Sequence, residues 1–270
     1  MATRDVPIEE GERIISRVES LTLKIYRDNQ WQEIKGSEVF GGRKVIIFGL
    51  PGAFTPTCST QHLPRYNEMA PTLFELGIDE ILCLSVNDPF VMEAWGRAQQ
   101  CCNNISLLAD GNGEFSQALG LLVDKKELSF GMRSKRYSML VDNGVVKKLF
   151  IEPDEPGDPY QVSDADTMLK AIDPNAKAPD QIVIFTRTGC PHCAHAKEML
   201  EQAGFKYVEM PLADNVRHTV IGAISGSDTV PQIFLNGELI GSADDLEERL
   251  GGSRKNQSPA RSTGRAPVNE

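Results

Sequence analysis

The chain has 270 residues, 28 of them basic and 38 acidic, for a net charge of -10, with 40% hydrophobic and 24% charged residues. That composition is globular and leaves room for one large domain or two ordinary ones, each with its own core. The acidic balance argues against a nucleic-acid backbone or an anionic membrane as the main partner, and no run approaches the roughly 20 apolar residues of a membrane span.

The first residues, MATRDVPIEEGERIISRV, carry carboxylates where a signal peptide would have its apolar core, so a soluble, cytoplasmic protein is expected. Apolar stretches then predict strands over 21–26, 44–49, 81–86, 106–109 and 138–142, with helix-like segments between several of them, the pattern of an α/β domain. The stretch KVIIFG at 44–49 is almost wholly apolar, as a central strand covered on both faces should be. Asp142-Asn143-Gly144, between SMLV and VVKKLF, is a hairpin signal, so the domain is expected to close with an antiparallel pair. The segment 151–180 is rich in Pro and Asp, although SDADTMLKAI has a capping residue and helical spacing. The linker proper is therefore DPNAKAPD, 173–180, and the first domain spans 1–172.

After it, strand QIVIFTR, a helix from Pro191 to about Ala203, strand KYVEM, a helix over 216–224, strands QIFLNG and ELI, and a helix over 244–250 give a βαβαββα order across 181–250. This describes a thioredoxin-like fold. Residues 251–270, GGSRKNQSPARSTGRAPVNE, lack apolar periodicity and are expected to be disordered.

Six cysteines, at 58, 83, 101, 102, 190 and 193, are too few for a disulfide scaffold, and their clustering suggests reactive thiols in a reducing compartment. In GLPGAFTPTCS, Cys58 follows an apolar strand across a Pro/Gly turn and opens a helical stretch. Free backbone N–H groups and the positive end of a helix dipole favour a thiolate over a thiol. Thr55, three residues earlier, can offer its hydroxyl to the sulfur or to a bound oxygen. Arg133, Lys135 and Arg136 cluster downstream, and spacing alone does not say which of them points inward. His62 would share a helix face with Cys58 and is expected to pack rather than act as a base. Cys83, mid-strand in ILCLSV, reads as a small buried residue, while Cys101 or Cys102 can be imagined as a resolving thiol.

The stretch carrying Pro51, Thr55 and Cys58 resembles the peroxiredoxin signature Pro-x-x-x-Thr-x-x-Cys, and LSVNDPFVMEAWGRA, SLLADGNGEF and KRYSMLVDNG look like the type-five-like branch of that family. The resemblance covers about residues 5–172. It implies a peroxidatic Cys58, a Thr55 that orients the peroxide, a Pro51 that shields the thiolate and an Arg136 that supplies the guanidinium. Displacement at an O–O bond builds negative charge on the leaving oxygen, which a fixed Arg stabilises.

Cys190-Pro-His-Cys193 follows a strand and opens a helix, and a CxxC in that setting reads as redox-active. Cys190 is expected to be the exposed nucleophile and Cys193, one turn in, its more buried partner. Zinc is disfavoured, since a structural site wants four ligands and no second CxxC exists. CPHC, Thr229-Val230-Pro231 and Gly241-Ser242-Ala243-Asp244-Asp245 resemble the three glutathione-binding elements of glutaredoxins, over about 181–250. The resemblance implies that Thr229 and Val230, before a cis Pro231, pair with glutathione like an added strand, that Ala243 and Asp244 receive its γ-glutamyl carboxylate at a helix start, and that Arg187 binds its glycine carboxylate. Ser242 stands where the family usually has a second Gly, and His192 where it commonly has an aromatic.

The whole is identified as a peroxiredoxin–glutaredoxin fusion, two thioredoxin-like α/β domains in tandem. That identification implies a glutathione-dependent thiol peroxidase reducing hydrogen peroxide and alkyl hydroperoxides, with glutathione as reducing co-substrate, no permanently bound cofactor or metal, and a dimeric or tetrameric assembly.

Overall fold

The computed structural model describes residues 6–254, which divide into two compact units, the first ending at Pro179 and the second beginning at Asp180. Most of the expected tail, 255–270, lies outside the described residues.

The first unit is built on a seven-stranded sheet, β1 (Thr22–Arg27), β2 (Gln30–Lys35), β3 (Lys44–Leu50), β4 (Glu80–Ser85), β5 (Ser106–Ala109), β8 (Tyr137–Asp142) and β9 (Val145–Ile151), in the order β2-β1-β5-β4-β3-β8-β9. A separate two-stranded ribbon pairs β6 (Leu122–Asp124) with β7 (Met132–Ser134). β4 runs parallel to both its neighbours, and β3 pairs antiparallel with β8. The alternation of β3 explains the unit. Ile46, Phe48 and Leu50 face one core and Val45 and Ile47 the other, so the strand is buried on both sides.

Helices α1 (Ile15–Val18), α2 (Gly36–Phe40) and α5 (Glu114–Ala118) supply Val18, Val39, Phe40 and Phe115 to the second core. Helices α3 (Leu63–Glu75), α4 (Pro89–Ala98) and α6 (Ala165–Ile172) supply Tyr66, Trp95 and Met168 to the first. The turn at Asn143-Gly144 has φ of 47° and 76°, the doubly left-handed geometry that joins two strands by two residues, and it links β8 to β9. Asp164 caps α6 by accepting from the Thr167 N–H. Residues 173–179, read from sequence as a tether, fold onto the first unit: Ala176 and Ala178 pack against its core and the Ala176 carbonyl accepts from Lys170 Nζ at 2.7 Å.

The second unit has a four-stranded sheet, β11-β10-β12-β13, of β10 (Ile182–Thr186), β11 (Val208–Pro211), β12 (Gln232–Leu235) and β13 (Glu238–Gly241). Its helices are α7 (Pro191–Gln202), α8 (Asp214–Ser225) and α9 (Ala243–Arg254), and the core joins Ile182, Ile184 and Ile233 to Ala196, Leu200 and Leu246. This is the βαβαββα order expected, with one correction. The last helix continues to Arg254, so the expected disorder does not begin at 251. No helix among the described residues is long and apolar enough to cross a membrane.

Candidate functional site

β3 delivers the chain to the first site. Gly49 is required near its end, because a Cβ there would run into the ring of Tyr137. The turn that follows, from Pro51 to Thr55, is held by Asn87, whose Oδ1 accepts from the Ala53 N–H at 3.0 Å and from Ser85 Oγ at 2.7 Å. Phe54 sits in this turn at φ of 62°, unusual for a bulky residue, and is exposed. Thr55 Oγ1 donates to the Gly52 carbonyl at 2.8 Å, so its hydroxyl proton is committed and the oxygen is left free to accept. The helix then starts, but Cys58–His62 forms a π-helical turn before α3 takes over, a local widening often found at functional sites.

Cys58 is fully buried, and the cation beside it is Arg136, whose Nη1 lies 3.5 Å from the sulfur. Of the three clustered cations only this one reaches Cys58: Arg133 donates to the carbonyls of Phe130 and Val86 instead. Arg136 is itself nearly buried and is fixed from several sides. Nη1 also faces His62 Nδ1 at 3.3 Å, Nη2 donates to Asp158 Oδ1 at 2.5 Å, and the Tyr160 ring covers the guanidinium at 5.8 Å.

His62 is fully buried, and burial together with the neighbouring Arg136 charge pushes its imidazole down to about 3, so it is neutral at pH 7. Its tautomer follows from its partners: Nε2 carries the proton towards the Ser163 carbonyl, 3.2 Å away, and Nδ1 accepts from Arg136. Ser163 is held in turn by Glu152, which accepts from the backbone N–H groups of Gln161, Val162 and Ser163 and from Ser163 Oγ. Burial raises the Glu152 carboxyl, but these bonds outweigh it and hold the group below the usual range. Glu152 thus closes the loop 153–160, which presents Asp158 and Tyr160 to Arg136. Glu152, Asp158 and Tyr160 carried no sequence signal, since they sit in a Pro- and Asp-rich stretch without periodicity.

The other thiols of this unit are poorly placed for attack. Burial pushes Cys83 well above its ordinary value and Cys101 up to about 12, and it raises Cys102 as well.

In the second unit, Cys190 is the N-cap of α7, and its sulfur accepts from the Cys193 N–H at 3.2 Å. Cys190 was expected to be exposed. It is 7% exposed against 2% for Cys193, so both are buried and the difference between them is small. Burial and the neighbouring Cys190 push the Cys193 thiol up to about 11. The Val230–Pro231 peptide is cis, and the Val230 carbonyl lies 3.8 Å from the Cys190 sulfur.

A cavity of about 380 Å³ is lined by Arg187, Cys190, Cys193, Lys197 and Glu209 among others. Thr229, Val230, Pro231, Ala243 and Asp244 do not line it, so of the six residues expected to bind glutathione only Arg187 does. Lys197 and Glu209, which pair at 3.0 Å, were not foreseen. At the start of α9, Ser242 and Asp245 cap each other: Asp245 Oδ2 accepts from both the N–H and the hydroxyl of Ser242 at 2.7 Å.

Comparison with known proteins accords with this division. The Redoxin family model matches residues 20–169 and the Glutaredoxin model residues 182–240. The chain is similar to the hybrid peroxiredoxin of Haemophilus influenzae, with 51% identity over 232 residues, covering 86% of this chain and 96% of the relative. It is 52% identical to a peroxiredoxin of Synechocystis over 154 residues, 56% of this chain and 80% of the relative. Among solved structures, the reduced Prx3 of Vibrio vulnificus in complex with hydrogen peroxide is 42% identical, with a TM-score of 0.56, covering 62% of this chain and 99% of that one. The chain belongs to the peroxiredoxin family, as a hybrid member in which a thioredoxin-like Redoxin domain is followed in tandem by a glutaredoxin domain.

Proposed function

We propose that the chain is a glutathione-dependent thiol peroxidase that reduces hydrogen peroxide and alkyl hydroperoxides at Cys58 and is recycled through Cys190. Its broader class, a peroxidase oxidoreductase acting in antioxidant defence, follows from the family. The observation that carries the reading is the Arg136 guanidinium held 3.5 Å from the Cys58 sulfur by His62, Asp158 and Tyr160. In this reading the Cys58 thiolate displaces the leaving oxygen of the peroxide and becomes a sulfenic acid. Arg136 stabilises the charge that builds on that oxygen, Thr55 Oγ1 accepts the peroxide O–H, and Pro51 screens the sulfur from water. Glutathione condenses with the sulfenic acid, Cys190 takes the glutathionyl group, and a second glutathione frees Cys190. Arg187, Thr229, Val230, Pro231, Ala243 and Asp244 are proposed to hold glutathione in that exchange. Fusion raises the effective concentration of the donor thiol towards the millimolar range of a short tether. A cytoplasmic homo-oligomer, dimer or tetramer, fits the reading, with the handover made within or between chains.

The test is peroxide consumption coupled to NADPH through glutathione and glutathione reductase. Cys58→Ser is expected to abolish it while leaving reduction of a small mixed disulfide intact, and Cys190→Ser to remove most of it. Peroxide turnover near wild type in Cys58→Ser would overturn the assignment.

A further inference from the structure

Peroxide and thiol have to reach the Cys58 sulfur from different directions. On the reading above, a peroxide arrives beside Thr55 and Arg136 with its O–O bond in line with the sulfur, so the sulfenyl oxygen is left on that side. A thiol that displaces this oxygen must align its own sulfur with the S–O bond from the opposite side. Away from Arg136, however, Cys58 belongs to the buried cluster that includes Phe48, Leu50, Leu63, Tyr66 and Trp95, and the residue itself is fully buried. The oxidised sulfur must therefore swing out before it is reduced. Whatever holds the turn shut governs this second step without entering the first.

The π-helical turn Cys58–His62 is tied to the rest of the unit at both ends. At its C-terminal end His62 Nε2 donates to the Ser163 carbonyl at 3.2 Å, and the Tyr66 hydroxyl, one turn on, donates to the same oxygen. At its N-terminal end Ser59 Oγ accepts from Trp95 Nε1 at 3.0 Å. The two attachments differ in what they carry. His62 also receives Arg136 Nη1, so freeing it would disturb the cation site, whereas the bond from Trp95 to Ser59 involves neither Arg136 nor Thr55. Its donor stands on a fixed element. Asp88 caps α4 by accepting from the Phe90 and Val91 N–H groups, and Gly96 lets the helix lie close on β5, since a Cβ there would run into Leu107.

We propose that Ser59 and Trp95 form a latch, whose hydrogen bond holds Cys58 in the closed site beside Arg136 and breaks when the sulfenic acid swings out to meet a thiol. This rests on the reading of Cys58 as a peroxidatic thiol that glutathione resolves. In the step so gated, the glutathione thiolate forms an S–S bond to the Cys58 sulfur and the S–O bond breaks. The departing hydroxide leaves as water with the proton of the glutathione thiol, the glutathione sulfur being oxidised by one unit and the Cys58 sulfur reduced by one. Ser59 and Trp95 are positioning residues, acting only through the placement of Cys58. Loss of one such bond destabilises the closed form alone, which shifts the opening equilibrium about three- to tenfold.

The experiment uses the full chain with Cys190→Ser and Cys193→Ser, so that the second unit does not react. One equivalent of hydrogen peroxide is added, sulfenic acid at Cys58 is measured by dimedone trapping, and condensation with glutathione, and separately with 2-mercaptoethanol, is followed by rapid-quench intact mass. Ser59→Ala is expected to raise the second-order constant of condensation about three- to tenfold with both thiols, while oxidation by peroxide changes less than twofold. Ser59→Thr keeps the hydroxyl and is expected to restore the parent rates. Trp95→Phe removes the donor and is expected to speed condensation as well, and adding Ser59→Ala to it should change the constant less than twofold further, because the bond is already gone. Unchanged condensation in Ser59→Ala, equal changes in both steps, or effects that multiply in the double variant would overturn the latch while leaving the peroxidase reading intact. Condensation with 2-mercaptoethanol but none with glutathione would overturn the glutathione reading, and the faster reaction of Ser59→Ala with the smaller thiol would still support the latch. Absence of sulfenic acid at Cys58 would overturn both.

Discussion

Arg136→Met separates chemistry from folding, because the structure makes the two costs very different in size. The substitution removes the Nη1 donor 3.5 Å from the Cys58 sulfur and, with it, the positive charge available to the leaving oxygen. A preorganised donor to a developing oxyanion is worth about 3–4 kcal/mol, so oxidation of Cys58 is expected to slow by some hundreds-fold. The fold loses less. Asp158 is 43% exposed and rehydrates when its partner goes, while His62 Nδ1 is left as one buried acceptor without a donor, at about 1–3 kcal/mol. The methionine keeps much of the stem's packing beside Tyr160. Stopped-flow fluorescence reads the rate directly, since buried Trp95 donates to Ser59 Oγ, beside Cys58, at 3.0 Å. Urea unfolding of the same variant reads the stability. A rate loss under threefold, or a rate loss that follows the fraction unfolded, would refute the reasoning and return the search to Arg133 and Lys135.

Three further outcomes are expected. Because His62 is depressed to about 3 in the folded chain against an ordinary 6.5, its contribution to stability is present above about pH 6.5 and is lost as pH falls towards 3. His62→Gln, less stable at pH 7, should therefore lose stability less steeply on acidification, by about 1.4 kcal/mol per pH unit in denaturant titrations between pH 6 and 4.5, and parallel curves would sink the assignment. Gly241→Ala places a Cβ against the Asp245 carboxylate at a φ of 118°, and is expected to destabilise the second unit by about 1–3 kcal/mol in thermal unfolding, and an unchanged transition would refute the strain. Cys193→Ser should keep most of the glutathione-supported turnover while Cys190→Ser loses it, because a second glutathione can release Cys190 without a thiol pushed up to about 11. Collapse of Cys193→Ser, with a trapped covalent adduct on non-reducing gels and matching loss in a Cys101/Cys102 double serine variant, would favour a dithiol route instead.

What the sequence made legible was what short-range chemistry dictates. The Asn143-Gly144 turn, the apolar run of β3 and the two cysteines at helix starts each depend on neighbours within a few residues. What it hid depends on contacts far apart in the chain. The ion pair of Arg136 with Asp158 spans 22 residues and the bond of His62 to Ser163 spans 101, and neither leaves a local pattern. The same holds for β2 and for the β6–β7 ribbon. β2 is mostly polar and each ribbon strand is three residues long, so both are defined by partners rather than by periodicity, yet Val123 and Asp124 of the ribbon line a cavity shared with Thr55.

The two thiols show why one fold needs different surroundings for different steps. Both sulfurs sit near a helix start, but Cys58 has a cation bonded to it and fixed by two side-chain partners and a ring, whereas the Cys190 sulfur accepts from one backbone N–H, with Arg187 and Lys197 lining its cavity rather than bonded to it. On the proposed reading that contrast follows from the reactions. Cleaving an O–O bond places new negative charge on an oxygen outside the sulfur's own helix turn, and only a separate cation can reach it. Thiol–disulfide exchange passes charge from one sulfur to another along a line that the N–H groups of a single helix end already face, so no fixed cation is required. A guanidinium bonded to Cys190 would then add little to exchange, while its loss beside Cys58 slows peroxide cleavage by some hundreds-fold.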